Sequence, residues 1–208
     1  MERVMLVVGL TGSIASGKSV VSKTLKELGL PIIDADLIAR KMVKPGEVGY
    51  QEIVDHFGKG ILNPDQTINR RRLAKIIFSA SKERERLNFI LHPRIVEESK
   101  RRMRDFKERG ERIVILDAAL LVEAGELSLA DKLIVVTVSP KIQVKRLVQR
   151  DHLTEREAKK RIATQMSLSE KVKLADYVID NSGPVRKTIK RTKGIYDQLC
   201  LTITDKEE

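Results

Sequence analysis

The sequence predicts an α/β fold in which helices flank a doubly wound, parallel sheet of five strands. Short apolar runs rich in Val, Ile and Leu recur along the chain, and each is followed by a segment with helical periodicity. Strands that alternate with helices in this way form parallel sheets, because a right-handed crossover joins parallel neighbours. Residues 47–110 break the alternation, since their apolar residues recur only at helical spacing. They predict a helical insert.

The elements of the sheet follow one another in a regular order. The predicted strands cover residues 4–10, 30–33, 113–116, 133–138 and 177–179. The predicted helices outside the insert cover residues 18–28, 37–43, 141–150, 155–166 and 185–199, and residues 205–208 are expected to fray. We therefore expect a core of residues 1–46 and 111–208, a helical substrate domain of residues 47–110, and a lid at about residues 146–170.

Composition restricts the partners of the chain. Lys and Arg outnumber Asp and Glu by 40 to 29, which favours anionic ligands. Aromatic residues make up only 3% of the 208 residues, so stacking on bases is poorly supported and small phosphates are favoured over nucleic acid. No apolar segment is long enough to span a membrane, and the single cysteine, Cys200, suits a reducing cytoplasm. We expect a cytoplasmic monomer that binds neither nucleic acid nor membrane.

A phosphate-binding loop lies between the first strand and the first helix. Its residues match the pattern Gly-x-x-x-x-Gly-Lys-Ser/Thr, which predicts a P-loop NTPase fold. The glycines let consecutive N–H groups face one anion, Lys18 can reach the β- and γ-phosphates, and the Ser19 hydroxyl can bind Mg²⁺. The predicted ATP-binding residues of this loop are Gly12, Ser13, Ile14, Ala15, Ser16, Gly17, Lys18, Ser19 and Val20.

Carboxylates follow two of the other strands, at the edge of the sheet where ligands bind. Asp34 and Asp36 come after the second strand, beside the phosphate-binding loop if strands 1 and 2 are close. Asp36 is favoured as the base that accepts a proton from an acceptor hydroxyl, whereas Asp34 is as well explained as a helix cap. Asp117 ends the third strand, where it can bind Mg²⁺ directly or through water.

Other P-loop activities fit less well. Thr192-Lys193-Gly194-Ile195 lacks the Asp of a guanine-reading motif, and Asp117 precedes two alanines rather than the second acidic residue of many ATPases. Phosphoryl transfer to a small acceptor is the remaining class. Four arginines crowd two helical segments and predict a lid over the phosphates, or else an ordinary solvated face: Arg146, Arg150, Arg156 and Arg161.

The chain resembles the dephospho-coenzyme A kinase family over most of its length. The matching segments are residues 9–19, 33–40, 88–93, 117–123, 138–140, 145–151, 161–165 and 175–183. The resemblance implies ATP-dependent phosphorylation of the ribose 3′-hydroxyl of dephospho-coenzyme A, with Mg²⁺, to give coenzyme A and ADP. It also implies that the helical insert is the coenzyme A domain.

The same resemblance implies roles for individual residues. Asp36 corresponds to the base, and the acceptor site includes Arg40, His92, Leu120 and Arg161. Arg146 corresponds to a lid arginine on the ATP phosphates, and Asn181 to a contact on the adenine side. Without the resemblance, a lone His before a proline is better explained as a structural residue, and with it the two roles of His92 are equally supported.

The chain departs from the family pattern at two places. Ser13, Ala15 and Val20 stand where the family usually has two glycines and a threonine, which leaves the backbone cradle intact. After the third strand, Ala118 and Ala119 stand where the family usually has valine and proline, and Val122 stands where it usually has phenylalanine. Two alternative functions stay open: a nucleoside or nucleotide kinase on the same scaffold, and a basic nucleic-acid-binding module with a steep dependence on salt.

Overall fold

A computed structural model describes residues 5–204 and contains the predicted five-stranded parallel sheet. The strands are β1 (Leu6–Gly12), β2 (Ile32–Asp34), β3 (Ile113–Asp117), β4 (Lys132–Thr137) and β5 (Tyr177–Asp180). Their order across the sheet is β2-β3-β1-β4-β5. The fold class is confirmed, while the predicted start of the first strand at residue 4 and the frayed tail lie outside the described residues.

Nine α-helices occur within residues 5–204. They are α1 (Lys18–Glu27), α2 (Ala35–Met42), α3 (Val48–Phe57), α4 (Arg70–Ser79), α5 (Ser81–Glu108), α6 (Pro140–Asp151), α7 (Glu155–Ile162), α8 (Leu168–Val172) and α9 (Val185–Thr204). Short 3₁₀ helices occur at Lys59–Ile61 and Glu126–Leu129. No helix of this part of the chain is long and apolar enough to cross a membrane.

The central strands β1, β3 and β4 are buried on both faces, as their near-continuous apolar runs predict. Leu6, Val8 and Leu10 of β1 pack in one core cluster with Val21 of α1 and Leu199 of α9. The central position of β1 lets its carboxyl end lie between the ends of β3 and β4. Whatever follows β1 is therefore placed at the middle of the ligand-binding edge.

The strand order corrects one premise of the sequence analysis. β1 and β2 are not neighbours, because β3 lies between them. Asp117 at the end of β3, and not Asp36 after β2, is therefore the carboxylate on the strand adjacent to the phosphate-binding loop.

The predicted helix over residues 155–166 is also corrected. It ends at Ile162, and a separate helix, α8, begins after Ser167. The Ser167 hydroxyl accepts the Glu170 N–H, while the Glu170 carboxylate accepts the Ser167 N–H at 3.1 Å. This capping box starts a new helix and leaves residues 163–166 as a turn.

The chain divides into two compact units. One contains residues up to Ile33 and from Met103 onward, and the other covers Asp34–Arg102. The second unit begins and ends earlier than the predicted substrate domain of residues 47–110. Its early start reflects the packing of α2 on α3, where Gly49 lies so close to the Met42 carbonyl that an added Cβ would sit 2.8 Å from the oxygen.

The second unit has its own apolar core. Ile53, Ile61 and Ile90 are fully buried in it, and Leu62 and Ile68 form an isolated antiparallel bridge. An ion pair between Arg94 and Glu52 at 2.6 Å joins α5 to α3. The insert is therefore a packed helical unit and not a set of loops.

Candidate active site

The loop from Gly12 to Gly17 curls tightly between β1 and α1. Ala15 and Gly17 have left-handed backbone conformations, with φ angles of 59° and 88°. The Ser16 N–H donates to the Ser13 carbonyl at 3.0 Å and closes the turn. Gly17 is the N-cap of α1 and provides no side-chain hydrogen bond. The amide groups of the first helical turn therefore have no side-chain cap and face the loop. Such an arrangement of N–H groups at a helix N-terminus favours a phosphate.

The two glycines of the signature are required by space. A Cβ added at Gly12 would lie 2.9 Å from the Val136 carbonyl of the neighbouring strand. One added at Gly17 would overlap the amide nitrogen of Asn181. The loop can therefore approach β4 and the end of β5 only with glycine at these two positions.

Lys18 forms an ion pair with Asp117. Asp117 is buried at the end of β3, and Lys18 is largely covered, so the two charges compensate each other in a region of low solvent access. Ser19 lies exposed on the first turn of α1. The lysine and the hydroxyl thus lie in the first turn of α1, directly after the loop, and the carboxylate ends the strand beside β1.

Asn181 and Arg146 contact the loop at Ser16, close to the start of α1. The Asn181 side-chain amide donates to the Ser16 carbonyl at 2.8 Å, and its oxygen accepts from the Thr188 hydroxyl at 2.7 Å. Arg146 donates to the Asn181 carbonyl at 2.9 Å. Asn181 is buried, with both ends of its amide used by the protein. In this geometry the side chain supports the phosphate-binding loop, and its second N–H and the second lone pair of its oxygen are the groups left for a contact with a nucleotide.

Two glutamines that no sequence argument singled out bind Ser13 and Ile14, the part of the loop called its front below. Gln143 on α6 donates to the Ser13 hydroxyl at 2.9 Å and to the Ile14 carbonyl at 2.8 Å. Gln165, in the turn after α7, accepts from the Ser13 hydroxyl at 3.0 Å and from the Ile14 N–H at 2.7 Å. Gln165 lies within one of the matching segments, whereas no sequence pattern marks Gln143.

Lys171 and Glu123, which were not predicted as site residues, form an ion pair next to the start of the loop. Lys171 of α8 is fully buried and bonds to Glu123 and to the Ala119 carbonyl, each at 2.9 Å, and to the Gly12 carbonyl at 3.3 Å. Burial lowers the pKa of Lys171, and the hydrogen bond to Glu123 opposes that shift. Glu123 also accepts the Met166 N–H, while its other carboxylate oxygen is buried without a partner. Glu123 ends a matching segment, but nothing in the α8 sequence marks Lys171 as buried.

The arginines of the predicted lid differ in their surroundings. Arg150 and Arg161 both contact Asp151, with nitrogen-to-oxygen distances of 2.8 and 2.9 Å. The hydrogen bond from Arg150, with Arg161 nearby, lowers the pKa of Asp151. Arg156 is exposed on α7, and Leu120 is exposed in the turn after β3. Arg146 has a hydrogen bond to the phosphate-binding loop itself, a long one of 3.5 Å to the Ser16 carbonyl.

The remaining predicted residues belong to the second unit. Asp34 accepts the Leu37 N–H at 2.7 Å, so its role as the cap of α2 is confirmed. Asp36 and Arg40 are both on α2, and their spacing of four residues puts them on one face of that helix. His92 is half-buried in the middle of α5, directly before Pro93, and the helix continues through both residues.

The residues at the loop fit a magnesium ion that is shared with a nucleotide. Residues 5–204 contain no cluster of three or more His, Cys, Asp or Glu side chains suited to a metal. Mg²⁺ needs no such cage, since it is commonly bound by one or two protein oxygens together with substrate phosphates and water. The Ser19 hydroxyl and the Asp117 carboxylate are oxygens of that kind.

A glycine-containing phosphate loop at the carboxyl edge of a parallel sheet, with a lysine and a strand-end aspartate beside it, defines a P-loop nucleotide-binding protein. The model of the dephospho-CoA kinase family matches residues 6–187. The chain therefore belongs to that family.

Individual relatives agree with this assignment. A dephospho-CoA kinase of Listeria innocua is 47% identical over 184 residues, which are 88% of this chain and 92% of that protein. One of Carboxydothermus hydrogenoformans is 47% identical over 185 residues, 89% of this chain and 90% of that protein. The structure of a dephospho-CoA kinase from Campylobacter jejuni matches with a TM-score of 0.67 at 27% identity, covering 93% of this chain and 96% of that one.

Proposed function

We propose that this chain transfers the γ-phosphoryl group of ATP to the ribose 3′-hydroxyl of dephospho-CoA, giving CoA and ADP. The observation that carries the proposal is the Lys18–Asp117 pair beside an intact phosphate-binding loop, in a chain that belongs to the dephospho-CoA kinase family. The loop accounts for the triphosphate, and the family accounts for the acceptor.

The transfer forms a bond between the 3′ oxygen and the γ-phosphorus and breaks the bond from that phosphorus to the oxygen bridging it to the β-phosphorus. Asp36 accepts the proton that the 3′-hydroxyl loses. Lys18 and Arg146 stabilise the negative charge that spreads over the phosphoryl oxygens and the leaving ADP. Membership of the family supports a role in binding the acceptor for Arg40, His92, Leu120 and Arg161.

Ser19 and Asp117 are the residues that would hold Mg²⁺ with the nucleotide. A bound Mg²⁺ neutralises charge on the β- and γ-phosphates. With the metal bound, Asp117 would hold it directly or through water, and Lys18 would be available to the phosphates.

The proposal is tested with ATP, Mg²⁺ and a panel of acceptors that includes dephospho-CoA, nucleosides and nucleoside monophosphates. We expect turnover with dephospho-CoA and a product phosphorylated at the 3′ position. Turnover of a nucleotide acceptor without turnover of dephospho-CoA would replace the proposal by a nucleotide kinase. Tight oligonucleotide binding that falls steeply with salt, in a chain inactive on the whole panel, would replace it by a nucleic-acid-binding module.

The role of Asp36 is tested by the substitution Asp36→Asn. Loss of the proton acceptor should lower kcat by about 10²- to 10⁴-fold, because general bases contribute that much. The affinity for ATP should stay near that of the wild type. A variant that has lost ATP binding instead would assign Asp36 to the metal or to the fold of α2.

We also propose that the protein is a cytoplasmic enzyme and that it acts as a monomer. Light scattering during size-exclusion chromatography, with and without both substrates, measures the oligomeric state directly.

A further inference from the structure

Four hydrogen bonds converge on Ser13 and Ile14 at the front of the phosphate-binding loop. Gln143 donates to the Ser13 hydroxyl, which donates onward to Gln165. The Ile14 carbonyl accepts from Gln143 and the Ile14 N–H donates to Gln165. The hydroxyl, the carbonyl and the N–H are thus all engaged by two side chains from different elements.

Both glutamines are themselves held in place. Gln143 is buried in the first turn of α6, where its N–H donates to the Ser139 carbonyl at 2.9 Å. The Gln165 N–H donates to the Ile162 carbonyl at 3.1 Å and fixes the turn after α7. Ser13 is also buried. The hydrogen bonds Gln143–Ser13–Gln165 therefore form a relay, which connects α6 through the loop to the turn between α7 and α8.

The loop needs such support because its next residue is strained. Ala15 has a φ angle of 59°, in the left-handed region that costs a non-glycine residue about 1–2 kcal/mol. A strained residue persists only where its surroundings hold it. Bonds at Ser13 and Ile14, directly before Ala15, fix the point from which the chain turns toward Gly17.

We propose that the Gln143–Ser13–Gln165 relay is a positioning device for ATP. It holds the front of the loop so that the amide groups from Ala15 onward converge on the phosphates before the nucleotide arrives. None of the three side chains needs to touch the reacting atoms. Gln165 acts purely as an acceptor, since both of its bonds to the loop end on the same oxygen.

The test is a double-mutant cycle of Gln165→Met and Ser13→Ala, read as the equilibrium affinity for ATP by titration calorimetry. Gln165→Met keeps the length of the side chain but removes the acceptor of two bonds, and should weaken ATP binding about tenfold. Ser13→Ala removes the central hydroxyl and should weaken it about fourfold. Because the relay acts as a unit, the double variant should bind ATP about as weakly as Gln165→Met alone.

Gln198→Met, on the exposed face of α9, is the matched control and should bind ATP like the wild type. Independent effects, with a double variant weakened by the product of the two single factors, would overturn the relay. So would unchanged ATP affinity in a Gln165→Met protein that melts at a lower temperature, since that is the result of a purely structural role. If Gln165→Met does not fold, Gln143→Met completes the same cycle with Ser13→Ala.

The inference rests on the proposed function only in taking ATP as the nucleotide. Affinity for ATP is measured without any acceptor, so failure to phosphorylate dephospho-CoA would leave the outcome of the cycle readable. A relay that positions the loop for ATP should also change the KM for ATP more than the KM for dephospho-CoA.

Discussion

At the scale of single residues, Ala15 and Gly17 have similar backbone conformations but differ in whether a Cβ atom fits at the position. Both have positive φ angles. At Gly17 a Cβ would also overlap the Asn181 amide, which is itself fixed by the Ser16 carbonyl and Thr188. Ala15 already carries a Cβ, so only its backbone conformation is unfavourable.

Gly17→Ala is therefore expected to abolish ATP binding. The substitution adds left-handed strain of about 1–2 kcal/mol and forces the Asn181 side chain away from the loop it supports. ATP affinity by calorimetry measures the effect directly, with circular dichroism to establish that the variant is folded.

Ala15→Gly is the paired variant, because it relieves strain without adding atoms. It should retain ATP affinity within about twofold, since the left-handed region is freely open to glycine. Should Gly17→Ala bind ATP as well as Ala15→Gly does, the contact with Asn181 would not be what makes glycine necessary at position 17.

At the scale of elements, Lys171 joins α8 to the end of β1 and to the turn after β3. Its ammonium group reaches the Gly12 carbonyl at the end of β1, and Ala119 and Glu123 after β3. A buried lysine with three acceptors is compensated where it lies, and the loss of its charge would leave Glu123 in the interior with too few donors.

Lys171→Met should lower the free energy of unfolding by about 3 kcal/mol, the usual result of breaking a buried ion pair from one side. The double variant Lys171→Met/Glu123→Gln should recover much of that loss. It leaves no unpaired charge at this site, and the amide oxygen of the substituted side chain can still accept the Met166 N–H. Urea unfolding of the two variants and the wild type measures the difference.

A double variant as unstable as Lys171→Met alone would show that the Gly12 and Ala119 carbonyls, and not the charge of Glu123, account for the loss. Those two carbonyls lose their donor in both variants. The comparison therefore separates the ion pair from the backbone hydrogen bonds.

The elements also show why part of the site could be predicted from sequence and part could not. β1, the loop and α1 follow from local patterns, because the apolar run, the glycine spacing and the helix are contiguous. Gln143 and Lys171 contact loop residues that lie 130 and 159 positions away along the chain. Their role depends on which face of a helix meets the loop, and a glutamine or lysine in a charged helix has no feature that marks it.

At the scale of the whole molecule, the alternation of strands and helices predicts a parallel sheet but does not predict the order of its strands. β3 enters the sheet between β1 and β2, which are joined by α1 along the chain. The order of strands depends on crossover geometry, and the residues of each strand do not encode it. The helix break after Ile162 differs in this respect, because Ser167 and Glu170 form a Ser-x-x-Glu capping pattern that marks the start of α8 in the sequence itself.

The carboxylates of the fold predict how its stability responds to acid. Hydrogen bonds from Arg101, Ser182 and Arg150 lower the pKa values of Glu98, Asp180 and Asp151, respectively, and the pKa of Glu98 falls from 4.5 to about 2. A lowered pKa in the folded state means that the unfolded state binds more protons in acid. The stabilisation by these carboxylates is therefore present above pH 4.5 and is lost as the pH falls.

Glu98→Gln isolates one of these contributions. At pH 7 it should lower the free energy of unfolding by about 1 kcal/mol, the upper range for a partly exposed ion pair. The deficit relative to wild type should shrink as the pH falls from 4.5 and should vanish below about pH 2, where wild-type Glu98 is itself protonated. Glu85→Gln, at an exposed position of the same helix, controls for the simple loss of a negative charge. If the Glu98→Gln deficit is the same at every pH, Glu98 stabilises α5 through packing, and its charge contributes nothing to the acid response of the molecule.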